Sequence, residues 1–312
     1  MLLAFDAPLP AVDMLYVSLG NNTIVSYDTT GNNGSTIASS VATFASTNLN
    51  SPQGLAFDSL GNLFVGNYGN NTISKFGRTG AYLGNINNNT YYSDGTVGMA
   101  IDSHGNLFAS NSSDNTIRKF SNSGLQIGEI SALNLSGPLG ITLDSADNLY
   151  VAMSNPYHKP SGGVTQILKF DEFGNQVDFG SRFGSDIGTL GDKALAFNSG
   201  YLFATCSNSA VYRYGPFGGY GGTVGFVWNP QGLAFDSSNN MYIASAGDNV
   251  RASTFCISKL DSNGIFITSW LVPAIPRFIA FQLVPEPSTY ALAAIATGVM
   301  AYLARRRKAR TT

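Results

Sequence analysis

One phrase recurs along this chain at intervals of about 40 residues, and no other feature constrains the fold more. Its clearest copy occupies residues 52–76 and begins PQGLAFDSLGNLFV. Related copies lie around residues 98–120, 140–170, 194–214 and 232–260. Each copy consists of short apolar runs separated by glycine- and asparagine-rich turns. A repeat of this length built from short strands is typical of propeller blades or solenoid turns.

Each unit reads as four strands. In the clearest copy they are predicted at residues 55–57, 63–65 and 72–76, with a weaker fourth strand near residues 82–83. Four-stranded sheets repeated at this period favour a β-propeller.

The two ends of the array supply complementary parts of one further unit. Residues 14–28 match the second and third strands, and residues 276–281 match the first strand. We therefore predict an all-β, six-bladed β-propeller of four-stranded blades, closed by pairing of the N- and C-terminal strands. An open solenoid is the alternative, but it would need a cap at each end, whereas closure removes the exposed edges.

The predicted first strands alternate small and large side chains. One position is small in all six units: Ala56, Ala100, Thr142, Ala196, Ala234 and Ala280. The position two residues earlier is small in five units: Gly54, Gly98, Gly140, Ala194 and Gly232, with Phe278 as the exception. Because alternate residues of a strand lie on opposite faces, the small set should let neighbouring blades approach closely near the axis.

The unit resembles the NHL repeat, in which Pro-x-Gly-aliphatic-Ala-aliphatic-Asp precedes Gly-Asn-aliphatic-aromatic-Val and a strand ending in Phe-Asp. The resemblance covers nearly all of residues 11–283, which we take as one propeller domain. It implies the fold but does not choose an activity, since that family includes binding modules and a few lyases.

The last 29 residues form a separate signal. A proline-rich motif comprises Val284, Pro285, Glu286, Pro287, Ser288 and Thr289. An uncharged stretch of 15 residues follows, and as a helix it would be about 22 Å long, short against a hydrocarbon core of roughly 30 Å. A basic cluster then comprises Arg305, Arg306, Arg307, Lys308 and Arg310. The basic cluster should stay on the cytoplasmic side, which places the rest of the chain outside.

In order and spacing, this tail resembles the PEP-CTERM sorting signal of Gram-negative bacteria. The resemblance implies processing by an exosortase-type sorting enzyme, membrane association through a C-terminal apolar helix, and residues 284–310 as a sorting domain. It also implies surface or extracellular placement, often alongside exopolysaccharide production. An ordinary tail anchor is the alternative. Because residues 1–5 lack the basic region and apolar core of an export signal, we expect the true start to lie upstream, with a copy that is not exported as the alternative.

Charge argues against a nucleic-acid partner. The tail holds five of the 17 basic residues and one of the 19 acidic ones, which leaves 12 basic and 18 acidic groups in the rest of the chain. A mildly acidic body of this kind is a poor nucleic-acid binder.

Catalytic and metal-ligating sets are not evident, and we predict no cofactor. Lyase- and lactonase-type propellers resemble one another in placing His, Glu or Asp around the axis, but this chain has two histidines, His104 and His158. Repeated aspartates at 58, 102, 144 and 236 are expected to cap turns rather than to bind calcium. Cys206 and Cys256 are expected to be free or buried thiols, with one disulfide as the alternative.

Inserted loops are the candidate ligand face. Residues 155–163 and 247–255 lengthen two units between the second and third strands, and residues 214–220 add a third aromatic, glycine-rich segment. The candidate ligand residues are Tyr157, His158, Asp248, Asn249 and Arg251. Aromatic and amide side chains are suited to sugars or peptides, although such loops also vary without function. We predict a non-enzymatic binding or scaffold protein associated with an extracellular polysaccharide matrix, with a lyase- or lactonase-like enzyme as the alternative.

Overall fold

The computed structural model describes residues 13–29, 42–87, 95–132, 135–153, 167–179, 194–206, 209–247 and 254–283. In these ranges, 24 strands form six antiparallel sheets of four strands each. The prediction of an all-β, six-bladed propeller is confirmed.

The blades are numbered in chain order, and each is given from its innermost strand outward. Blade 1 consists of β24 (Pro276–Leu283), β1 (Asp13–Leu19), β2 (Thr23–Asp28) and β3 (Ala42–Ala45). Blade 2 consists of β4 (Pro52–Phe57), β5 (Leu63–Asn67), β6 (Thr72–Phe76) and β7 (Tyr82–Asn87). Blade 3 consists of β8 (Thr96–Ile101), β9 (Leu107–Asn111), β10 (Thr116–Phe120) and β11 (Gln126–Ile130). Blade 4 consists of β12 (Pro138–Leu143), β13 (Leu149–Met153), β14 (Ile167–Phe170) and β15 (Gln176–Val177). Blade 5 consists of β16 (Leu195–Asn198), β17 (Tyr201–Cys206), β18 (Ala210–Tyr214) and β19 (Tyr220–Phe226). Blade 6 consists of β20 (Pro230–Phe235), β21 (Met241–Ser245), β22 (Cys256–Leu260) and β23 (Phe266–Leu271).

Blade 1 closes the ring with both ends of the chain. The C-terminal strand β24 pairs antiparallel with β1, and Ala280 lies opposite Tyr16. The Tyr16 hydroxyl donates a buried hydrogen bond of 2.8 Å to Oε1 of Gln282. The predicted pairing of the N- and C-terminal strands is therefore confirmed.

The small residues of the inner strands lie where neighbouring blades meet. A Cβ atom added to Gly232 would lie 2.9 Å from the carbonyl oxygen of Arg277 in the next blade, closer than real Cβ contacts. Gly54 and Gly98 face the inner strands of their own next blades in the same way. The predicted close approach near the axis is confirmed at these positions. The exception, Phe278, packs against the apolar cluster shared by blades 5 and 6.

Serine side chains add polar links between blades close to the axis. The Ser18 hydroxyl donates to the carbonyl oxygen of Gln53 (2.7 Å), and the Ser110 hydroxyl donates to that of Leu139 (2.6 Å). Each serine lies on the second strand of one blade and bonds to the first strand of the next. These bonds satisfy backbone groups that would otherwise be buried without partners.

The apolar core is divided among the spaces between blades. Leu15 and Tyr27 of blade 1 pack with Tyr242 and Ile257 of blade 6, for example. Both cysteines are buried and free, as expected. In the ranges that the structure describes, no helix has the length and apolarity needed to cross a bilayer. The predicted tail helix lies outside those ranges.

Candidate functional site

Antiparallel strand order gives the propeller two faces. The first strand of each blade leads to a turn on what we call the lower face, where the turns between third and fourth strands also lie. Turns between second and third strands, and the links to the next blade, lie on the upper face. Gln282, near the end of β24, donates to the carbonyl oxygen of Gly61 (3.1 Å) in a lower turn of blade 2. The chain therefore leaves the propeller at its lower face.

The repeated aspartates cap lower turns. Oδ1 of Asp58 accepts hydrogen bonds from the backbone N–H groups of Leu60 (3.0 Å) and Asn62 (2.8 Å). Oδ2 accepts from the Asn62 side-chain amide at 2.8 Å. Asp102, Asp144 and Asp236 make the same contacts in blades 3, 4 and 6. The capping prediction is confirmed. In the part of the chain that the structure describes, no group of three or more His, Cys, Asp or Glu could hold a metal ion.

A lysine on the third strand completes each of these lower-turn units. In blade 3, Nζ of Lys119 lies 3.0 Å from Oδ2 of Asp102 and 4.8 Å from the ring centre of Phe108. Lys75, Lys169 and Lys259 repeat the arrangement in blades 2, 4 and 6. Burial of Asp102 opposes its ionisation, but hydrogen bonds from Asn106 and the adjacent Lys119 hold its pKa below the ordinary value. These four carboxylates are therefore engaged by hydrogen bonds and ion pairs within the fold.

Ser103, His104 and Asp147 meet between the lower turns of blades 3 and 4, but they do not form a catalytic triad. The Ser103 hydroxyl donates to Oδ2 of Asp147 at 2.6 Å. The same ring nitrogen of His104, Nδ1, lies 3.3 Å from Ser103 Oγ and 3.5 Å from Asp147 Oδ2. A proton relay needs one imidazole nitrogen for the nucleophile and the other for the carboxylate. The contact joins two turns of neighbouring blades.

The described inner strands bring few charged side chains to the axis. None of the six innermost strands contains Asp, Glu or His, and their one charged residue is Arg277. Arg277 is half-buried near the upper end of β24, where its Nε would lie 4.0 Å from a Cβ atom on Gly20. Its guanidinium has no hydrogen bond or ion pair with any residue that the structure describes. Gln53 and Gln231 occupy the equivalent positions in blades 2 and 6, and Gln231 donates to the carbonyl oxygen of Asn229 (3.0 Å).

The predicted ligand residues lie outside the described ranges. Tyr157 and His158 belong to a segment joining Met153 to Ile167, and Asp248, Asn249 and Arg251 to one joining Gly247 to Thr254. Both segments connect a second strand to a third strand, so both begin and end at the upper face. Sequence reasoning missed Arg277 on this face, although aligning the six units gives a basic residue there and at Lys193, against Gln, Val and Leu in the other four.

The third aromatic segment, expected to span the last strand or a loop of its unit, joins the third strand of blade 5 to the fourth. Tyr214 ends β18, Tyr220 begins β19, and residues 215–219 form a tight turn closed by a 2.8 Å bond from Gly215 N–H to the Gly219 carbonyl. This turn lies on the lower face, away from the two longer segments. Its glycines allow the reversal, and Gly218 has a φ of 77°.

Family models match two parts of the chain. An NHL repeat matches residues 49–76, and the PEP-CTERM protein-sorting motif matches residues 283–308. The chain carries an NHL repeat and a PEP-CTERM signal. The sorting motif indicates an exported protein targeted to the cell envelope of a Gram-negative bacterium, and it implies processing by an exosortase.

Solved structures similar to this six-bladed propeller have mixed descriptions. A chain in the crystal structure of a nidogen/laminin complex is 17% identical with a TM-score of 0.72, and the match covers 88% of this chain and 99% of that one. A streptogramin B lyase is 15% identical with a TM-score of 0.58, over 85% of each chain. A virginiamycin B lyase from Staphylococcus aureus is 15% identical with a TM-score of 0.59, over 86% of this chain and 88% of that one. Comparison with the curated proteins gave no match. At these identities the likeness concerns the fold alone.

Proposed function

We propose that this protein is an exported, non-enzymatic binding or scaffold propeller whose upper face contacts an extracellular polysaccharide. In this proposal residues 11–283 form the propeller domain and residues 284–310 form the sorting tail that holds it at the membrane. The observation that carries the proposal is the composition of the inner strands, which contain no acidic or imidazole side chain in the described ranges.

The lower face holds its repeated carboxylates in a structural role. Its four repeated carboxylates each lie within 4.0 Å of a lysine, and they accept hydrogen bonds from their own turns. A lyase- or lactonase-like reaction would need several acidic or imidazole groups that converge on one substrate. The likeness to two lyase structures is the argument for that alternative, but this likeness concerns the fold and not the reaction.

The upper face has the chemistry for an acidic sugar polymer. Arg277 presents a guanidinium, which binds a carboxylate through two parallel hydrogen bonds. Trp228, which is 52% exposed in the link between blades 5 and 6, can stack on a sugar ring. Tyr157, Arg251 and the amide groups of the two longer segments would add stacking and hydrogen bonds. His158, Asp248 and Asn249 complete the proposed set.

The test is a glycan array probed with the full chain, followed by a pull-down from the matrix polysaccharide of the producing bacterium. We expect acidic glycans to be retained, and we expect Arg277→Gln to weaken binding about tenfold or more through loss of a charged pair. Arg78→Gln is the matched control, because Arg78 is exposed in a lower turn. Catalytic cleavage of a lactone or a streptogramin by the purified chain would contradict the proposal. Equal binding by the Arg277→Gln and Arg78→Gln variants would mean that Arg277 does not contact the glycan.

A further inference from the structure

Exposed large apolar side chains are unequally divided between the two ends of the described strands. Among the described residues, fourteen such side chains are more than a third exposed, and three of these lie at upper ends, where several of the connecting segments fall partly or wholly outside the described ranges: Phe226, Trp228 and Leu271. The other eleven lie in lower turns or in the first two residues of strands that begin at the lower face. They are Leu60, Tyr82, Leu83, Leu125, Ile127, Phe173, Tyr201, Phe217, Tyr220, Ile265 and Phe266. A soluble surface normally scatters such residues, so a clustered set indicates a contact surface.

The most exposed members are held on rigid turns. Phe217 is 87% exposed and Phe173 is 81% exposed. Oδ1 of Asp171 accepts from the Phe173 N–H (3.0 Å) and fixes that turn. A Cβ atom on Gly174 would lie 3.5 Å from Ile130, so the turn also packs against the outer strand of blade 3. Their exposure is thus a property of the folded ring.

The chain leaves the propeller at this same face, immediately before its sorting signal. Leu283 is the last residue of β24 and pairs with Asp13, and the matched sorting motif begins at residue 283. The apolar stretch of the tail begins at Tyr290, seven residues later. Seven extended residues span at most about 25 Å. Until the tail is cleaved, the lower face is therefore held close to the lipid surface, a step that rests on the anchoring in the proposed function.

We propose that the lower rim, defined as Leu60, Leu125, Phe173, Phe217 and Ile265, rests on the bilayer and inserts its apolar tips at the headgroup boundary. Rigid turns that carry Phe and Leu can enter this zone without unfolding, because their backbone groups stay bonded within the turn. Ion pairing of Asp58, Asp102, Asp144 and Asp236 with lysines reduces the negative charge brought to an anionic membrane. In this proposal the tail keeps the propeller at the membrane, and the lower rim sets the orientation of the propeller relative to the bilayer.

The experiment uses the full chain reconstituted in vesicles of phosphatidylethanolamine and phosphatidylglycerol, with Cys206 and Cys256 replaced by alanine. An environment-sensitive dye is placed at Glu172→Cys or Pro216→Cys, beside the two most exposed tips. Ser46→Cys, exposed on the upper face, is the reference. We expect aqueous iodide to quench the two lower labels about fivefold less than the upper one, because immersed tips exclude the ion. Phe173→Ser with Phe217→Ser should restore quenching, whereas the upper pair Phe226→Ser with Trp228→Ser should not.

Flotation of the vesicles separates the possible failures. Protein that floats with the vesicles but shows equal quenching at all three labels keeps its anchor and contradicts the rim contact. Protein that does not float contradicts the anchoring, and the rim contact falls with it. Shielding of the lower labels that persists in detergent without vesicles indicates a second copy of the chain or another protein on the rim, and also overturns the proposal.

Discussion

A chain that ends at Leu271 should fail to form a stable propeller, whereas one that ends at Leu283 should fold. The shorter chain lacks β24, which is the innermost strand of blade 1 and pairs with β1 along its length. It also loses the buried Ile279 and the bond between Tyr16 and Gln282. Each fully buried apolar side chain contributes roughly 1.5–3 kcal/mol, against a total stability of about 5–15 kcal/mol for a typical domain.

The measurement is thermal unfolding of both truncated proteins, followed by circular dichroism and light scattering. We expect the shorter protein to aggregate or to melt more than about 10 °C below the longer one. Loss of β24 would expose the inner edge of β1 and the apolar side chains that pack against Ile279, which explains the aggregation. Equal melting temperatures would mean that β24 does not close the ring.

Alanine at both Pro285 and Pro287 should abolish processing of the tail in a host that has the sorting enzyme. The two prolines fix an extended backbone that an enzyme can bind with little loss of entropy, and alanine removes that restriction. Both lie beyond Leu283, the last residue of β24, so the propeller should keep its melting temperature. Immunoblotting of the membrane and secreted fractions would show the unprocessed size.

A matched control replaces Thr311 and Thr312 by alanine, because these residues follow the matched motif at residues 283–308. This variant should be processed normally. If the double proline variant reaches the same size and location as the unchanged protein, the motif is not what the sorting enzyme reads.

The fold could be predicted because the sequence patterns that determine it are local and recur in each unit. The alternation of small and large residues in the inner strands predicted that one face of each strand packs closely against the next blade. Gly232 shows why, since a side chain there would meet the backbone of that blade. Ring closure followed from two incomplete ends that complement each other. The capping role of Asp58 followed from its place before a Gly-Asn turn.

The remaining features depend on contacts between blades, which a linear pattern does not record. The bond from Ser18 to the Gln53 carbonyl is one example, and the equivalent bond from Ser110 to the Leu139 carbonyl is another. Exposure of Phe173 and Phe217 at lower turns was likewise not evident, because aromatic residues in turns can equally be buried. Residues 214–220 were expected to span a last strand or a loop, and five of them form a short turn that glycine permits.

The most direct test of the account is which face of the anchored protein is open to the surroundings. A bulky, membrane-impermeant maleimide is applied to intact cells that display Leu60→Cys or His158→Cys, in a background with Cys206 and Cys256 replaced by alanine. Because residue 60 lies in a lower turn beside the chain exit, and Met153 and Ile167 bring the segment of residue 158 to the upper face, the two positions should react differently. An exported propeller with its binding face outward predicts strong labelling at position 158 and weak labelling at position 60. Strong labelling at 60 with weak labelling at 158 would contradict both the orientation and the proposed binding face.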